Sequence, residues 1–197
     1  VARVVAAMND PDPRVSGHGV KCLEAAGVEV AVGTGGDLAA RLNAGFLQRI
    51  ALGRPLVTLK QATSLDGRIA TGSGESRWIT GDLSRAYSHL LRARHDAILV
   101  GSGTALADDP ALTCRLPGLE GRSPVRVVMD GRLRLPPSHQ LVTGARVVQT
   151  WIVTVAGVDS ARLESYRAAG AEVIAVAPDS DGHPDALAML KAVGKRG

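Results

Sequence analysis

The apolar run Leu56-Val57-Thr58-Leu59 leads directly into Lys60-Gln61-Ala62-Thr63-Ser64-Leu65-Asp66-Gly67-Arg68. Consecutive apolar and β-branched residues of this kind predict a buried strand. An Asp-Gly pair favours a turn, so the strand is expected to end there and to deliver polar side chains to a ligand. For Asp66-Gly67 taken alone, a plain hairpin turn is the better explanation.

Outward from that stretch, short apolar runs alternate with helical patterns along the whole chain. Strands are predicted at residues 1–8, 28–32, 97–100, 125–129, 151–155 and 171–176, and helices at residues 18–26, 38–50, 82–94, 160–169 and 185–193. This alternation predicts an α/β fold with a mainly parallel sheet, whose strand ends are the natural place for a ligand. Gly53-Arg54-Pro55 has the composition of a linker, so we expect one domain at residues 1–53 and another at 54–197.

Composition excludes several classes of protein. With 45% hydrophobic residues in 197, the chain has enough apolar side chains for a core, and its longest apolar runs fall short of the roughly 20 residues of a membrane span. The pI near 9.5 is compatible with nucleic-acid binding, but the arginines are scattered and only two tryptophans, two tyrosines and one phenylalanine are available for stacking on bases.

Cys22 and Cys114 lie far apart outside any CxxC motif, so neither a zinc site nor a disulfide is predicted. We expect a cytoplasmic protein that binds neither membrane nor nucleic acid and acts on a small anionic substrate.

Polar residues near the predicted strand ends are the candidates for a site. Lys60 in an apolar strand either reaches solvent or holds a polar ligand, and the residues alone leave these two readings about even. Arg92 and Arg115 offer the paired donors that match a phosphate, against the alternative of two solvated charges. Asp108-Asp109 before Pro110 suits a turn better than a metal site, because no further ligands are evident.

The remaining motifs point to no other chemistry. The five histidines are widely spread, and each is expected to be a surface or packing residue. Gly33-Thr34-Gly35-Gly36 follows a predicted strand, as in a dinucleotide fingerprint, but Leu38 occupies the third glycine position. A glycine-rich turn without a ligand is therefore the preferred interpretation.

Several motifs together resemble one known family. They are Lys60-Gln-Ala-Thr-Ser-Leu-Asp-Gly-Arg68, Gly74-Glu-Ser-Arg-Trp-Ile-Thr80, Leu91-Arg-Ala-Arg94, and Thr104-Ala-Leu-Ala-Asp-Asp-Pro-Ala-Leu-Thr113 with Arg115. Residues 54–197 resemble the reductase domain of the bifunctional riboflavin-biosynthesis enzymes, in which a diaminohydroxyphosphoribosylaminopyrimidine deaminase is joined to a 5-amino-6-(5-phosphoribosylamino)uracil reductase. Residues 1–53, with Asn43-Ala-Gly-Phe46, resemble the end of the deaminase domain.

This resemblance implies a dihydrofolate-reductase-like three-layer α/β fold, preceded by the end of a cytidine-deaminase-like α/β domain, with NADPH as the hydride donor. Lys60 matches the family's strand lysine beside the ribose and is the catalytic candidate. The positions that match cofactor contacts are Ala62, Trp78, Thr104, Asp108 and Gly131, where the family can place a serine. The positions that match substrate contacts are Ser76, Arg92, Leu112 and Arg115.

The implied reaction opens the ribose of a phosphorylated ribosylaminopyrimidine and reduces C1′ to give the ribityl chain. A homo-oligomer is compatible with the family. The deaminase's zinc motifs do not occur in these residues, so zinc is expected only in a deaminase part outside this chain. The chain has the look of a segment of a longer polypeptide, and the family's glycine-rich cofactor segment is expected after Gly197. A stand-alone reductase for another pyrimidine or pteridine, and a non-catalytic remnant, are the competing hypotheses.

Overall fold

A computed structural model of the chain describes residues 1–76 and 78–196. The chain divides into two compact units, which are Val1–Thr58 with the end of the chain from Leu190, and Leu59–Met189. Each unit has its own parallel sheet. The domain boundary predicted between residues 53 and 54 stays a prediction.

The first unit contains a two-stranded parallel sheet and three helices. Strand β1 (Arg3–Ala6) pairs with β2 (Glu29–Val32), and the helices are α1 (His18–Ala25), α2 (Gly36–Leu42) and α3 (Ala44–Leu52). The single helix predicted over residues 38–50 is therefore two helices. They are separated at Asn43, whose φ of −102° and ψ of 15° leave the helical region and whose side-chain amide donates to the Ala39 carbonyl at 2.8 Å.

The second unit is built on a four-stranded parallel sheet with the order β3-β4-β5-β6. Its strands are β3 (Ala97–Gly101), β4 (Val125–Met129), β5 (Thr150–Val155) and β6 (Glu172–Val176). The helices that follow the first unit along the chain are α4 (Asp82–Arg94), α5 (Ser102–Asp108), α6 (Gln140–Thr143), α7 (Ser160–Ala168) and α8 (Ala186–Gly194). Strand and helix alternate along the chain, so the predicted α/β class with a parallel sheet is confirmed.

The core of the second unit lies around the two central strands. Val128 of β4 and Ile152 of β5 are fully buried, because each strand has a neighbour on both sides. Leu141 of α6 and Tyr166 of α7 belong to the same hydrophobic cluster. The buried Tyr166 hydroxyl donates to the Leu135 carbonyl at 2.6 Å, which satisfies both groups in the absence of water.

The structure contradicts the strand predicted at residues 56–59. None of the strands described includes these residues, and Leu56, Val57 and Leu59 are 48%, 58% and 78% exposed. A strand needs a neighbouring strand to take its N–H and C=O groups, and an apolar run does not guarantee one. The strand predicted at residues 97–100 is present as β3. β3 lies at an edge of its sheet, and Leu99 is 44% exposed.

Helix α5 was not predicted from the sequence. The chain passes from β3 directly into this helix at Ser102. The helix ends where Asp109 adopts a left-handed φ of 38°, one residue before Pro110. Pro110 therefore lies outside the helix, as its missing N–H predicts. Within the described residues, every helix falls short of the length and apolarity that crossing a membrane requires.

Candidate active site

Two of the predicted cofactor positions meet at one edge of the sheet. Thr104 and Gly131 follow the carboxyl ends of β3 and β4, which are paired so that Gly101 lies opposite Met129. The guanidinium of Arg134, in the segment after β4, donates to the Ser102 hydroxyl in α5 at 2.7 Å. Helix α5 and the loop after β4 are thus tied together at the carboxyl ends of two neighbouring parallel strands, where α/β sheets bind ligands.

Helix α5 carries two of the polar residues that are predicted to contact the cofactor. Thr104 and Asp108 are four residues apart, which places them on the same face of the helix, and both are exposed. Asp109 has a different role, because its carboxylate accepts from the Gln140 backbone N–H at 3.1 Å and from His139 Nε2 at 3.0 Å. The predicted turn applies to Asp109 alone, because Asp108 is the last residue of α5 and the left-handed Asp109 ends the helix. The described residues contain no group of three or more His, Cys, Asp or Glu that could hold a metal ion.

Two arginines predicted to contact substrate are brought together by α4 and the loop after α5. Arg92 Nη1 donates to the Thr113 carbonyl at 3.0 Å and lies 3.3 Å from His89 Nδ1. The Arg115 backbone N–H donates to the same His89 Nδ1 at 3.2 Å. Among the described residues, neither arginine forms an ion pair with a carboxylate. We call His89, Arg92, Thr113 and Arg115 the arginine cluster.

The charges of the arginine cluster act on one another. Burial lowers the pKa of His89, and the positive charges of Arg92 and Arg115 lower it further. Burial also lowers the pKa of Arg92 from its ordinary value, with Arg115 adding to the effect. The guanidinium remains charged at neutral pH, because its ordinary pKa is so high. The cluster therefore carries uncompensated positive charge that suits an anion.

The loop that carries Arg115 is held by buried neighbours on both sides of Thr113. Leu112 is buried and adopts a left-handed φ of 55°. Cys114 is also buried, and its backbone N–H donates a hydrogen bond to the Ser123 hydroxyl at 3.1 Å. Arg115 itself is exposed. Leu112, predicted to contact substrate, thus anchors the loop from inside.

The predicted site residues at the start of the second unit lie outside regular secondary structure. Lys60 and Ser76 are exposed, and Ala62 is half-buried. The turn predicted at Asp66-Gly67 is confirmed, because the Gly67 N–H donates to the Ser64 carbonyl at 3.0 Å and Gly67 has a φ of 77°.

Trp78 is 73% exposed, and the Arg85 guanidinium lies 4.4 Å from the centre of its ring. Arg77, in the motif at 74–80, lies outside the described residues. In the part of the chain that the structure describes, no hydrogen bond joins Lys60, Ser76 or Trp78 to the arginine cluster or to α5.

Sequence reasoning missed His89 and Arg134. His89 was interpreted as a surface or packing residue because it belongs to no motif. It precedes Arg92 by three residues on a predicted helix, and this spacing places the two side chains on one face. That signal was available in the sequence, whereas the contact of Arg134 with Ser102 depends on the order of the strands.

Gly131 allows a prediction about the cofactor edge. A Cβ atom added there would lie 2.7 Å from Cδ and 3.2 Å from Cγ of Pro184, a buried ring. We expect Gly131→Ala to destabilise the protein by about 1–3 kcal/mol, because the proline ring has to shift. Gly103→Ala is the matched control, since its Cβ would enter open space in a helix. Urea unfolding of both variants checks this, and equal midpoints would contradict it.

Comparisons with known proteins agree with one another. The model of the RibD C-terminal domain family matches residues 55–197. The chain is 41% identical over 194 residues to riboflavin biosynthesis protein RibD of Bacillus amyloliquefaciens, covering 98% of the chain and 52% of that protein. It is 39% identical over 207 residues to RibD of Escherichia coli K12, covering 100% of the chain and 54% of that protein. The chain spans about half the length of the curated relatives it matches.

Solved structures resemble the whole chain. RibD of Acinetobacter baumannii superimposes with a TM-score of 0.82 and 34% identity, over 100% of this chain and 52% of that one. A diaminohydroxyphosphoribosylaminopyrimidine deaminase/5-amino-6-(5-phosphoribosylamino)uracil reductase from Thermotoga maritima gives 0.78 and 32%, over 100% and 51%. The predicted dihydrofolate-reductase-like α/β fold is thereby confirmed, and the deaminase-like assignment of residues 1–53 stays a prediction.

Proposed function

Because this chain belongs to the RibD C-terminal domain family of riboflavin biosynthesis, we propose that it reduces the ribose of 5-amino-6-(5-phosphoribosylamino)uracil with NADPH. A solved relative with 32% identity over the whole chain carries this reductase activity in its name. In the net reaction the C1′–O4′ bond breaks, C1′ gains a hydride, and O4′ keeps the bonding electron pair and takes a proton. The product carries an open ribityl chain.

The arginine cluster is the observation that carries this proposal. Arg92 and Arg115 are joined through His89 and lack a carboxylate partner among the described residues. Guanidinium groups bind phosphate through paired, charge-assisted hydrogen bonds. The phosphate of a phosphoribosyl group meets this requirement. Holding that group fixes one end of the substrate, and positioning of the reactants is the main physical contribution to a hydride transfer.

The carboxyl edge of the sheet fits the cofactor. The exposed Thr104 and Asp108 lie on α5, and Gly131 lies in the segment after β4, whose Arg134 donates to Ser102 of α5. We propose that these residues hold NADPH, which supplies the hydride when bound. Ala62 and Trp78 are the further cofactor contacts that the family implies. Ser76 is a further substrate contact that the family implies, and Leu112, whose side chain is buried, can offer only its backbone to the substrate.

Lys60 is the proposed catalytic residue, and it orients or polarises the sugar as the ring opens. We expect Lys60→Ala to lower kcat by about tenfold to a hundredfold, in the range of a lost orienting or polarising group. Lys21→Ala, an exposed lysine of α1, is the matched control and is expected to leave kcat unchanged. Oxidation of NADPH with the phosphorylated ribosylaminouracil measures both. An unchanged kcat in Lys60→Ala would remove the lysine from the mechanism.

A binding module without catalysis is the second candidate. It is favoured by the exposed apolar side chains of Leu56, Val57 and Leu59. Among the described residues, Lys60, Ser76 and Trp78 also form no hydrogen bond to the arginine cluster. Calorimetry with NADPH and with substrate, followed by the turnover assay, separates the two functions, because a binding module retains affinity without oxidising NADPH. A homo-oligomer and a cytoplasmic location stay predictions.

A further inference from the structure

His89 lies at the centre of the arginine cluster. Its Nδ1 atom is 3.2 Å from the Arg115 backbone nitrogen and 3.3 Å from Arg92 Nη1. Both of these groups can only donate a hydrogen bond, whereas the Thr113 carbonyl, 3.2 Å from the same atom, can only accept. Two donors face Nδ1 against one acceptor, so we assign Nδ1 as the accepting nitrogen. The ring proton is therefore on Nε2, and the imidazole is neutral in this arrangement.

The guanidinium of Arg92 also connects the His89 ring to the loop that contains Thr113. Arg92 Nη1 donates to the Thr113 carbonyl at 3.0 Å, and that carbonyl lies 3.2 Å from His89 Nδ1. With Nδ1 unprotonated, the ring nitrogen and the carbonyl are both acceptors, and Arg92 Nη1 lies within hydrogen-bond distance of each. His89 thus fixes the direction of the Arg92 side chain and the chain position of Arg115 at once.

We propose that His89, in its neutral Nε2–H form, is a positioning residue that aligns Arg92 and Arg115 for the phosphate of the substrate. This inference rests on the proposed function, which supplies the phosphate. His89 itself does not touch the reacting atoms. Its effect is to lower the entropy lost on binding the anion, because the direction of the Arg92 side chain and the backbone position of Arg115 are set before the ligand arrives.

The surroundings of His89 favour the neutral ring. Arg92 faces it from its own helix and Arg115 from the loop, and the Cys114 thiol donates to the His89 carbonyl at 3.4 Å. The 3-10 turn Glu120–Arg122 also packs against α4. Burial and the two arginines lower the pKa of His89, so the neutral acceptor persists at neutral pH.

Two substitutions of His89 separate positioning from packing. In His89→Asn the side-chain oxygen lies near the place of Nδ1 and can accept the same hydrogen bonds, whereas His89→Leu fills similar space without an acceptor. His183→Leu, at an exposed histidine of the second unit, is the matched control. Thermal unfolding of each variant checks that the fold is retained.

Ribose 5-phosphate is the binding probe, and calorimetry measures its Kd. We expect His89→Leu to raise that Kd and the KM of the reductase reaction by about tenfold, with kcat within about twofold, and His89→Asn to restore most of the affinity. The ¹⁵N shift of Nδ1 at neutral pH is expected to be that of an unprotonated nitrogen. Equal Kd values for His89→Leu and the parent chain overturn the inference, as do equal losses in the Asn and Leu variants or a protonated Nδ1.

The proposed function and this inference fail in different ways. If the parent chain binds ribose 5-phosphate but does not oxidise NADPH, the reductase proposal is wrong, and the Kd values of the His89 variants still decide the positioning role. If the parent chain oxidises NADPH with the substrate but His89→Leu leaves KM unchanged, the positioning role is wrong. A parent chain that does not bind ribose 5-phosphate overturns the inference.

Discussion

Arg92→Ala is expected to lower kcat/KM for 5-amino-6-(5-phosphoribosylamino)uracil by about a hundredfold. Charge-assisted hydrogen bonds contribute about 1.5–3 kcal/mol each, and a hundredfold corresponds to about 2.7 kcal/mol. Arg92 is partly buried, so little water screens its charge. Arg115 is exposed, and the smaller loss of about tenfold is expected for Arg115→Ala.

Arg92→Lys tests the geometry of the contact as well as its charge. A lysine retains the positive charge but lacks the planar pair of donors, so we expect activity between those of the parent and the alanine variant. Arg94→Ala is the matched control, because Arg94 is an exposed arginine of the same helix. Activity equal to that of the parent is expected for it.

The substrate without its phosphate completes the test. The ribosylaminouracil nucleoside gives the arginines nothing to bind, so Arg92→Ala is expected to change its kcat/KM by less than about threefold. Steady-state kinetics on both substrates measures the difference. A hundredfold loss on the nucleoside as well would show that Arg92 acts on the fold or on the chemistry rather than on the phosphate.

Ile152→Ala is expected to destabilise the second unit by about 2–5 kcal/mol. Ile152 is completely buried at the centre of β5, between β4 and β6, and belongs to the main hydrophobic cluster. Truncation removes buried methyl groups and leaves a cavity that packed neighbours close only in part. The loss is comparable with the whole stability of a marginal domain, so the folded fraction itself is expected to fall.

Urea unfolding followed by fluorescence measures this loss, because Trp151 is the buried neighbour of Ile152 in the same strand. A Trp78→Phe background removes the signal of the exposed tryptophan. Leu83→Ala is the matched control, since Leu83 is 88% exposed on α4 and is expected to change stability by less than about 0.5 kcal/mol. Similar midpoints for the two alanine variants would show that β5 does not hold the core together.

Much of the fold could be predicted because its signals are local. Strands β4 and β5 are short runs of apolar, mostly β-branched residues, and helix α4 has an apolar face and was predicted with the same bounds, 82–94, that it has in the structure. The turn at Gly67 needs a positive φ, and the presence of a glycine at that position is enough to predict it. In each case the information lies within one element.

The run at Leu56–Leu59 was predicted wrongly because apolar character describes a surface that prefers burial and does not specify the partner. Helix α5 was missed for a related reason. The residues at its start, Gly101-Ser102-Gly103-Thr104, have weak helix propensity. Ala105 of the same helix is fully buried, so tertiary packing holds the helix in place. Local propensity does not decide such segments.

The sequence by itself determined the parallel α/β class, the family resemblance and the identities of Arg92 and Arg115 as anion-binding candidates. Only the tertiary structure decided that His89 joins them, because its contacts with Thr113 and Arg115 span 24 and 26 residues of chain. It also decided that Pro184 fills the space above Gly131. Hydrogen bonding and packing between residues so far apart in the chain depend on how the elements meet in space. The residue pattern within one element does not specify which other element it will contact.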